Sequence, residues 1–367
     1  MSFFSNLGNL VKEAAENPEF INKVESIGNQ LIDTHLNESK SSHDSRSAPT
    51  PEEQWEHSKY QNDDSTKKAL FIGINYFGTE AELRGCIKDV ENLMRFVQKE
   101  CGFPANNMRR LTDDRQGRDR PTRANILAGM RWLVENARPG DSLFFHYSGH
   151  GSHQKDEDGD EADGEDETIC PVDYDEAGMI TDDEMHAIMC ASLPAGVKLT
   201  AIFDCCHSGS VLDLPFMYTI DGNLDIHEEN RVALAARQFL KAGLDFLKGD
   251  SKRAKEGFQS GMKAMSSSDE NGQGPVAKDR VKDRTTRADV ILLSGCKDTQ
   301  TSADAVIDGT ATGAMSYAFI STMKEHDFDI TYQELLRSLR EFMLKEYTQI
   351  PCLSAGRELN MNVNFSL

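Results

Sequence analysis

The chain has 367 residues, a formal net charge of −21 at pH 7 and a sequence pI near 4.9. That length allows one large or two modest domains with a substantial core. The negative charge argues against nucleic acid and anionic membranes as partners, because both would repel it, and it favours basic partners. No apolar run approaches the roughly 18 residues of a transmembrane helix.

The N-terminus lacks the basic start and apolar stretch of a signal peptide. The eight cysteines are scattered and form no C-x-x-C pairs, which favours a reducing compartment. We therefore expect a monomer in the cytoplasm, with the nucleus as the second candidate location.

The first part of the chain divides into two segments. Residues 1–36 carry two amphipathic helical patterns, which predict an N-terminal helical extension docked on the body or, alternatively, a helix for partner binding or self-association. Residues 37–66 are rich in Ser, Asp, Glu and Pro, a composition that cannot bury enough surface to order itself. This second segment is predicted to be a flexible linker.

From residue 67 to residue 367, strand patterns alternate with helix patterns. Continuous apolar runs predict buried strands, and apolar residues at helical spacing predict helices of 10 to 18 residues. The alternation predicts an α/β domain with a mainly parallel central sheet and helices on both faces. The predicted strands are 69–74, 108–111, 141–147, 197–203 and 289–293, and the predicted helices are 82–99, 121–137, 313–325 and 331–346.

Two long stretches interrupt this alternation. Residues 156–183 are dominated by carboxylates, and residues 221–288 are polar and basic. Loops of such length in a compact domain are usually functional or disordered. We therefore predict an acidic loop and a long basic loop.

Two strand ends deliver reactive groups. The strand at 197–203 leads into Asp204-Cys-Cys-His-Ser-Gly209, and the strand at 141–147 leads into Gly149-His150-Gly151. A cysteine and a histidine that each follow a parallel strand can meet as a thiolate and its base, with the amides of Gly151 and Cys206 as donors to an oxyanion. The alternative is two core cysteines and an ordinary loop histidine.

These sequences resemble a known family. His146-Tyr-Ser-Gly-His-Gly151, Asp204-Cys-Cys-His-Ser-Gly209 and Leu83-Arg-Gly-Cys-Ile-Lys-Asp89 are similar to signatures of type I metacaspases, which are clan CD cysteine peptidases. The likeness extends from Lys67 to the C-terminus and implies a caspase-like (caspase-hemoglobinase) fold. The N-terminal extension has neither the Pro/Gln-rich repeat nor the zinc finger of many members.

The resemblance implies a catalytic set. In the family the nucleophile directly precedes His-Ser-Gly, which assigns Cys206, with His150 as the base. Residues alternate along a strand, so Cys205 should point the other way. The implied activity is that of a thiol protease made as a zymogen. Apoptosis and protein quality control are both open as its cellular role.

The resemblance also implies a calcium site. On composition alone, the nine carboxylates between Asp156 and Glu167 would be a solvated loop, and their spacing does not fit an EF-hand. Hard oxygen ligands nevertheless suit calcium, and four aspartates bind it in metacaspases. The matching positions are Asp166, Asp182, Asp183 and Asp213.

The implied substrate pocket is acidic. The resemblance places Cys86, Asp89, Ser148 and Asp204 in it, and two carboxylates in a crevice would select Arg or Lys before the scissile bond. The basic residues at 248–287 then become targets for calcium-triggered self-cleavage.

Two alternatives compete with a calcium-dependent endopeptidase. The first is a catalytically weak caspase-like scaffold that binds basic or calcium-regulated partners, which retention of both His150 and Cys206 argues against. The second is a structural zinc site, which adjacent cysteines do not fit because the usual spacing is C-x₂₋₄-C.

Overall fold

The structure is a computed structural model that describes part of the chain. It covers residues 64–155, 165–205, 211–218, 224–226, 284–296, 305–307, 310–346 and 350–367. The predicted N-terminal helices, nearly all of the linker, the first part of the acidic loop and most of the basic loop lie outside these ranges. What the sequence predicts for those segments stays a prediction.

The central sheet has eight strands in the order β2-β1-β3-β7-β10-β13-β8-β9. The first five of these are mutually parallel, and the last three add on in antiparallel fashion. This arrangement confirms the mainly parallel sheet. The strands are β1 (Lys67–Gly73), β2 (Met108–Thr112), β3 (Ser142–Ser148), β7 (Lys198–Asp204), β8 (Phe216–Tyr218), β9 (Leu224–Ile226), β10 (Asp289–Cys296) and β13 (Ile350–Ala355).

Helices cover both faces of this sheet. Alternate residues of each central strand enter two apolar cores; in β7, for example, Phe203 belongs to one core and Ile202 to the other. One core packs under α2 and α4, and the other under α1, α5 and α6. The helices are α1 (Cys86–Glu100), α2 (Arg123–Val134), α3 (Tyr174–Ala177), α4 (Asp182–Met189), α5 (Ala314–Glu325) and α6 (Tyr332–Glu346).

The acidic stretch is more structured than its composition predicts. A small antiparallel sheet orders its second half, and α4 begins immediately after the last strand of that sheet. The prediction of one continuous loop over 156–183 is therefore wrong for residues 165–183. The strands are β4 (Gly151–Lys155), β5 (Glu165–Ile169) and β6 (Ile180–Thr181), and a separate pair is formed by β11 (Ala305–Ile307) and β12 (Thr310–Thr312).

The parallel register brings three strand ends to one edge. Gly73 at the end of β1 pairs with Ser148 at the end of β3, and Ser148 pairs with Asp204 at the end of β7. Side chains that follow these strands therefore converge, as expected at the carboxyl edge of a parallel sheet. Among the described helices, none is both long and apolar enough to cross a membrane.

Candidate active site

His150 lies just beyond β3, and its ring orientation is fixed by a backbone carbonyl. Its Nε2 is 2.8 Å from the carbonyl oxygen of Ala81. Because a carbonyl oxygen only accepts, Nε2 carries the hydrogen and Nδ1 is the basic nitrogen of the neutral ring. The preceding Gly149 has no room for a side chain, since a Cβ there would lie 2.7 Å from the Tyr147 hydroxyl. His150 is thus held as a base with a defined tautomer.

Two buried tyrosines hold the backbone of His150. The Tyr76 hydroxyl accepts a hydrogen bond from the His150 N–H (3.0 Å), and the Tyr147 hydroxyl donates to the His150 carbonyl (2.8 Å). The Tyr76 ring also packs on the imidazole, with 4.7 Å between centroids. Burial raises the pKa of both tyrosines well above the usual value, so both hydroxyls stay protonated. Neither tyrosine was predicted as a site residue, because neither has a role that its local sequence reveals.

The two candidate nucleophiles are separated by burial. Cys205 is 3% exposed and lies in the same apolar core as Phe203 and Tyr147, so it faces away from Asp204. A cysteine in that core is poorly placed either to attack a substrate or to bind zinc. Cys206 lies outside the described residues. The burial of Cys205 argues against Cys205 as the nucleophile, and the assignment of Cys206 stays a prediction.

The predicted pocket carboxylates converge on the start of α5. Asp89 is 1% exposed, accepts a hydrogen bond from Gly313 N–H (2.7 Å) and accepts another from the Ser148 hydroxyl (2.9 Å). Asp204 accepts from Met315 N–H at 2.8 Å. A Cβ on Gly313 would lie 2.8 Å from the Asp89 carboxylate and 2.6 Å from that of Asp204. Both carboxylates therefore stabilise the amino end of one helix dipole.

Asp204 has further partners that the sequence did not reveal. Ser316, in the first turn of α5, donates its hydroxyl to Asp204 and lies 3.0 Å from Nε2 of the fully buried His146. His146 Nε2 is in turn 3.5 Å from the Asp204 carboxylate. Cys86, the fourth predicted pocket residue, is buried at the first position of α1, one turn before Asp89.

Three of the four predicted calcium ligands form a compact group. The carboxylates of Asp166 on β5 and of Asp182 and Asp183 at the start of α4 each place an oxygen within 4.8 Å of the other two. Burial, and after it the neighbouring Glu167, raises the pKa of Asp182 to about 9. Carboxylate oxygens that lie close together and are partly desolvated repel one another when charged, and a hard cation would stabilise them. These residues therefore fit calcium.

The fourth predicted ligand, Asp213, is connected to this group by an arginine that contacts both. Asp213 is buried with a left-handed backbone (φ 44°), and its carboxylate lies 2.6 Å from Nε of Arg284. The same guanidinium forms an ion pair with Asp183. In the sequence Arg284 is one of many basic residues in its stretch, because a contact across 101 sequence positions has no local signal.

The sequence predictions and the geometry agree in part. The structure brings Asp89, Ser148 and Asp204 together at the start of α5. It brings Asp166, Asp182 and Asp183 together as a second group, at β5 and the start of α4. Gly151 begins β4 and pairs with Ile169 of β5. The role of the Ala81 carbonyl could not be predicted, because every residue has a backbone carbonyl and its partner depends on the fold.

The chain belongs to the metacaspase family, the class of caspase-like cysteine peptidases. The family's sequence model, described as "Metacaspase, peptidase C14 domain", matches residues 67–215. Metacaspase-1 of Mycosarcoma maydis is 46% identical over 308 residues, which cover 84% of this chain and 74% of that protein. Metacaspase-1 of Ajellomyces capsulatus (strain NAm1 / WU24) is 48% identical over 306 residues, covering 83% and 84%.

Two solved structures are more distant. A protein from Geobacter sulfurreducens gives a TM-score of 0.49 at 21% identity, over 80% of this chain and 95% of that one. Caspase-1 from Spodoptera frugiperda gives 0.45 at 11% identity, over 84% and 94%. The activity class follows from the family: the chain is a cysteine endopeptidase, and a Cys-His dyad is typical of its relatives.

The contacts of Tyr76 predict a positioning role. Tyr76→Phe keeps the ring against His150 and removes the acceptor of its N–H, so we expect kcat to fall about tenfold, the cost of one unpaired buried donor. KM should change little, because Tyr76 contacts the base and not the predicted substrate pocket. Steady-state kinetics measure both. Tyr174→Phe, whose ring is edge-on to Tyr76, is the matched control. Equal loss in both variants would contradict the assignment.

Proposed function

We propose that the chain is a calcium-dependent cysteine endopeptidase that cleaves after Arg or Lys and processes itself. The observation that carries the catalytic part is the bond between His150 Nε2 and the Ala81 carbonyl, because it directs the basic Nδ1 away from that carbonyl. An inactive scaffold would have no need to fix the tautomer of this histidine. The geometry therefore favours an enzyme over the scaffold alternative.

The proposed reaction has two halves. Nδ1 of His150 takes the proton of the Cys206 thiol, and the thiolate attacks the scissile carbonyl carbon. The C–N bond breaks, the amine leaves with the proton from His150, and a thioester remains on Cys206. Water then gives a proton to His150 and hydrolyses the thioester, which restores the thiol.

The choice of nucleophile predicts opposite effects for adjacent substitutions. Cys206→Ala should abolish both peptide turnover and self-cleavage, because no thiolate remains to attack. Cys205→Ala should retain turnover and lose only stability, by about 1 kcal/mol or more for a small cavity in the core. Peptide hydrolysis and thermal unfolding measure the two effects. An inactive but folded Cys205→Ala alongside an active Cys206→Ala would reverse the assignment.

Specificity for a cationic side chain is supported by the two converging carboxylates. Asp89 and Asp204 approach one point at the start of α5, and both are almost fully buried. A desolvated carboxylate is costly unless a positive group faces it, so such a pocket rewards Arg or Lys and penalises a neutral or acidic residue. Asp204 also caps α5 and contacts Ser316, so its removal would disturb the fold. Asp89 is the cleaner probe.

Removal of the Asp89 charge alone should relax the preference. Asp89→Asn keeps an acceptor for Gly313 N–H, and its amide can donate to the Ser148 hydroxyl. We expect kcat/KM for Arg and Lys peptides to fall about 30-fold, near 2 kcal/mol, since one buried charge partner is lost. A fluorogenic panel with Arg, Lys, Asp or Leu before the scissile bond measures this, with the exposed Asp114→Asn as control. A wild-type preference for Asp would refute the acidic-pocket proposal.

Calcium dependence is supported by the aspartate cluster. Asp166, Asp182, Asp183 and Asp213 would hold the ion, which would supply positive charge to four clustered carboxylates, of which Arg284 contacts Asp183 and Asp213. Asp182 also accepts hydrogen bonds from the N–H groups of Glu167 and Asp183, so its position is fixed before any ion arrives.

Loss of one ligand should weaken calcium binding without loss of the fold. In a Cys206→Ala background, which prevents self-cleavage, Asp166→Asn should lower calcium affinity about tenfold or more, because a charged ligand becomes neutral. Isothermal titration calorimetry measures the affinity. Asp175→Asn, an exposed aspartate on α3, controls for net charge. Indistinguishable affinities for Asp166→Asn and the control would remove Asp166 from the ligand set.

A further inference from the structure

Arg284, a residue of the same chain, contacts two of the four aspartates that are the predicted calcium ligands. Its guanidinium pairs with Asp183 at the start of α4 and, 2.6 Å from Nε, with Asp213. The Arg284 carbonyl also lies 3.3 Å from Nε2 of His186, one turn further along α4. Arg284 is only 16% exposed and Asp213 only 7%, so the contact is not a loose surface pair. One positive group thus bridges two of the four predicted calcium ligands.

We propose that Arg284 is a built-in competitor of calcium, and that the guanidinium and the ion exclude one another at Asp183 and Asp213. This inference rests on the proposed calcium function. A guanidinium and a calcium ion both need carboxylate oxygens, and an oxygen that bonds the guanidinium presents less charge to an ion. Calcium binding therefore includes the cost of detaching Arg284, which lowers the apparent affinity.

The competition would connect the ion to the basic segment. Arg284 directly follows residues 227–283, and Thr286, two residues later, donates its N–H to the Gly356 carbonyl at 2.7 Å. The downstream side is thus anchored beside β10, while the upstream side continues into the segment that we propose as the self-cleavage target. Calcium that displaces the Arg284 guanidinium would therefore act at the residue where the basic segment rejoins the described fold, although the Arg284 carbonyl keeps its contact with His186.

The test compares calcium binding in full-length variants that carry Cys206→Ala, so that no readout depends on activity. Arg284→Gln removes the competing charge, and we expect its calcium affinity in calorimetry to be at least about fivefold tighter than that of the parent. Arg284→Lys keeps the positive charge, but its ammonium group cannot bridge two carboxylates as a guanidinium does. Its calcium affinity should lie between those of the parent and Arg284→Gln. Arg287→Gln, an exposed arginine in the same segment, makes the same change of net charge and should match the parent.

Hydrogen exchange gives an independent readout. In the parent, calcium should increase exchange of the amides of Arg284 and Thr285, and in Arg284→Gln these two amides should exchange quickly without calcium, while the anchored Thr286 amide should stay protected in both. Unchanged affinity in both Arg284→Gln and Arg284→Lys, or a gain equal to that of Arg287→Gln, would overturn the competition and leave the calcium proposal intact. Absence of calcium binding by the parent and every variant would overturn both. Arg284→Lys serves as the decisive variant if Arg284→Gln does not fold.

Discussion

The carboxylate of Asp204 joins two parts of the chain that are more than a hundred residues apart. It ends β7 and accepts the first N–H groups of α5, with Met315 at a separation of 111 positions. Asp89 does the same from α1 through Gly313, so two helices and a central strand meet at one charged point. A helix dipole stabilises such carboxylates, and the carboxylates fix where the helix begins. The pocket is therefore a structural joint as well as a candidate binding site, which is why single substitutions there must be isosteric.

The strand framework could be predicted because buried parallel strands are continuous apolar runs. All five predicted strands form, with ends shifted by at most three residues. The start of α1 was predicted four residues too early, since Asn75 captures the local backbone: its carbonyl accepts from Leu83 N–H and its side chain from Ile87 N–H. Helical periodicity in a sequence cannot show that a residue of a preceding loop will bond the backbone N–H groups where the helix would otherwise begin. Tertiary contacts moved the boundaries of the predicted elements, but each of those elements forms.

The candidate site also has residues that the local sequence predicts and residues that only the folded chain identifies. His150, Asp89, Ser148 and the aspartate cluster were predicted because their side chains stand in recognisable local sequences. The strand β5 was missed because three of its five residues are acidic and acidic residues are depleted in strands, and β6 was missed because it has only two residues. Arg284 and Tyr76 were missed for a different reason. Each acts on a residue far away in sequence, and only the folded chain identifies the pair.

Two carboxylates with fixed partners flank the proposed nucleophile in the sequence. Asp204 precedes Cys206 and is fixed to α5, while Asp213 follows it and pairs with Arg284. Val211 and Leu212 are fully buried beside Asp213, so a displacement of that carboxylate would be transmitted to packed side chains rather than absorbed by solvent. A cation that replaces Arg284 would therefore act first on Asp213 and on the side chains packed beside it, seven residues after Cys206 in the sequence.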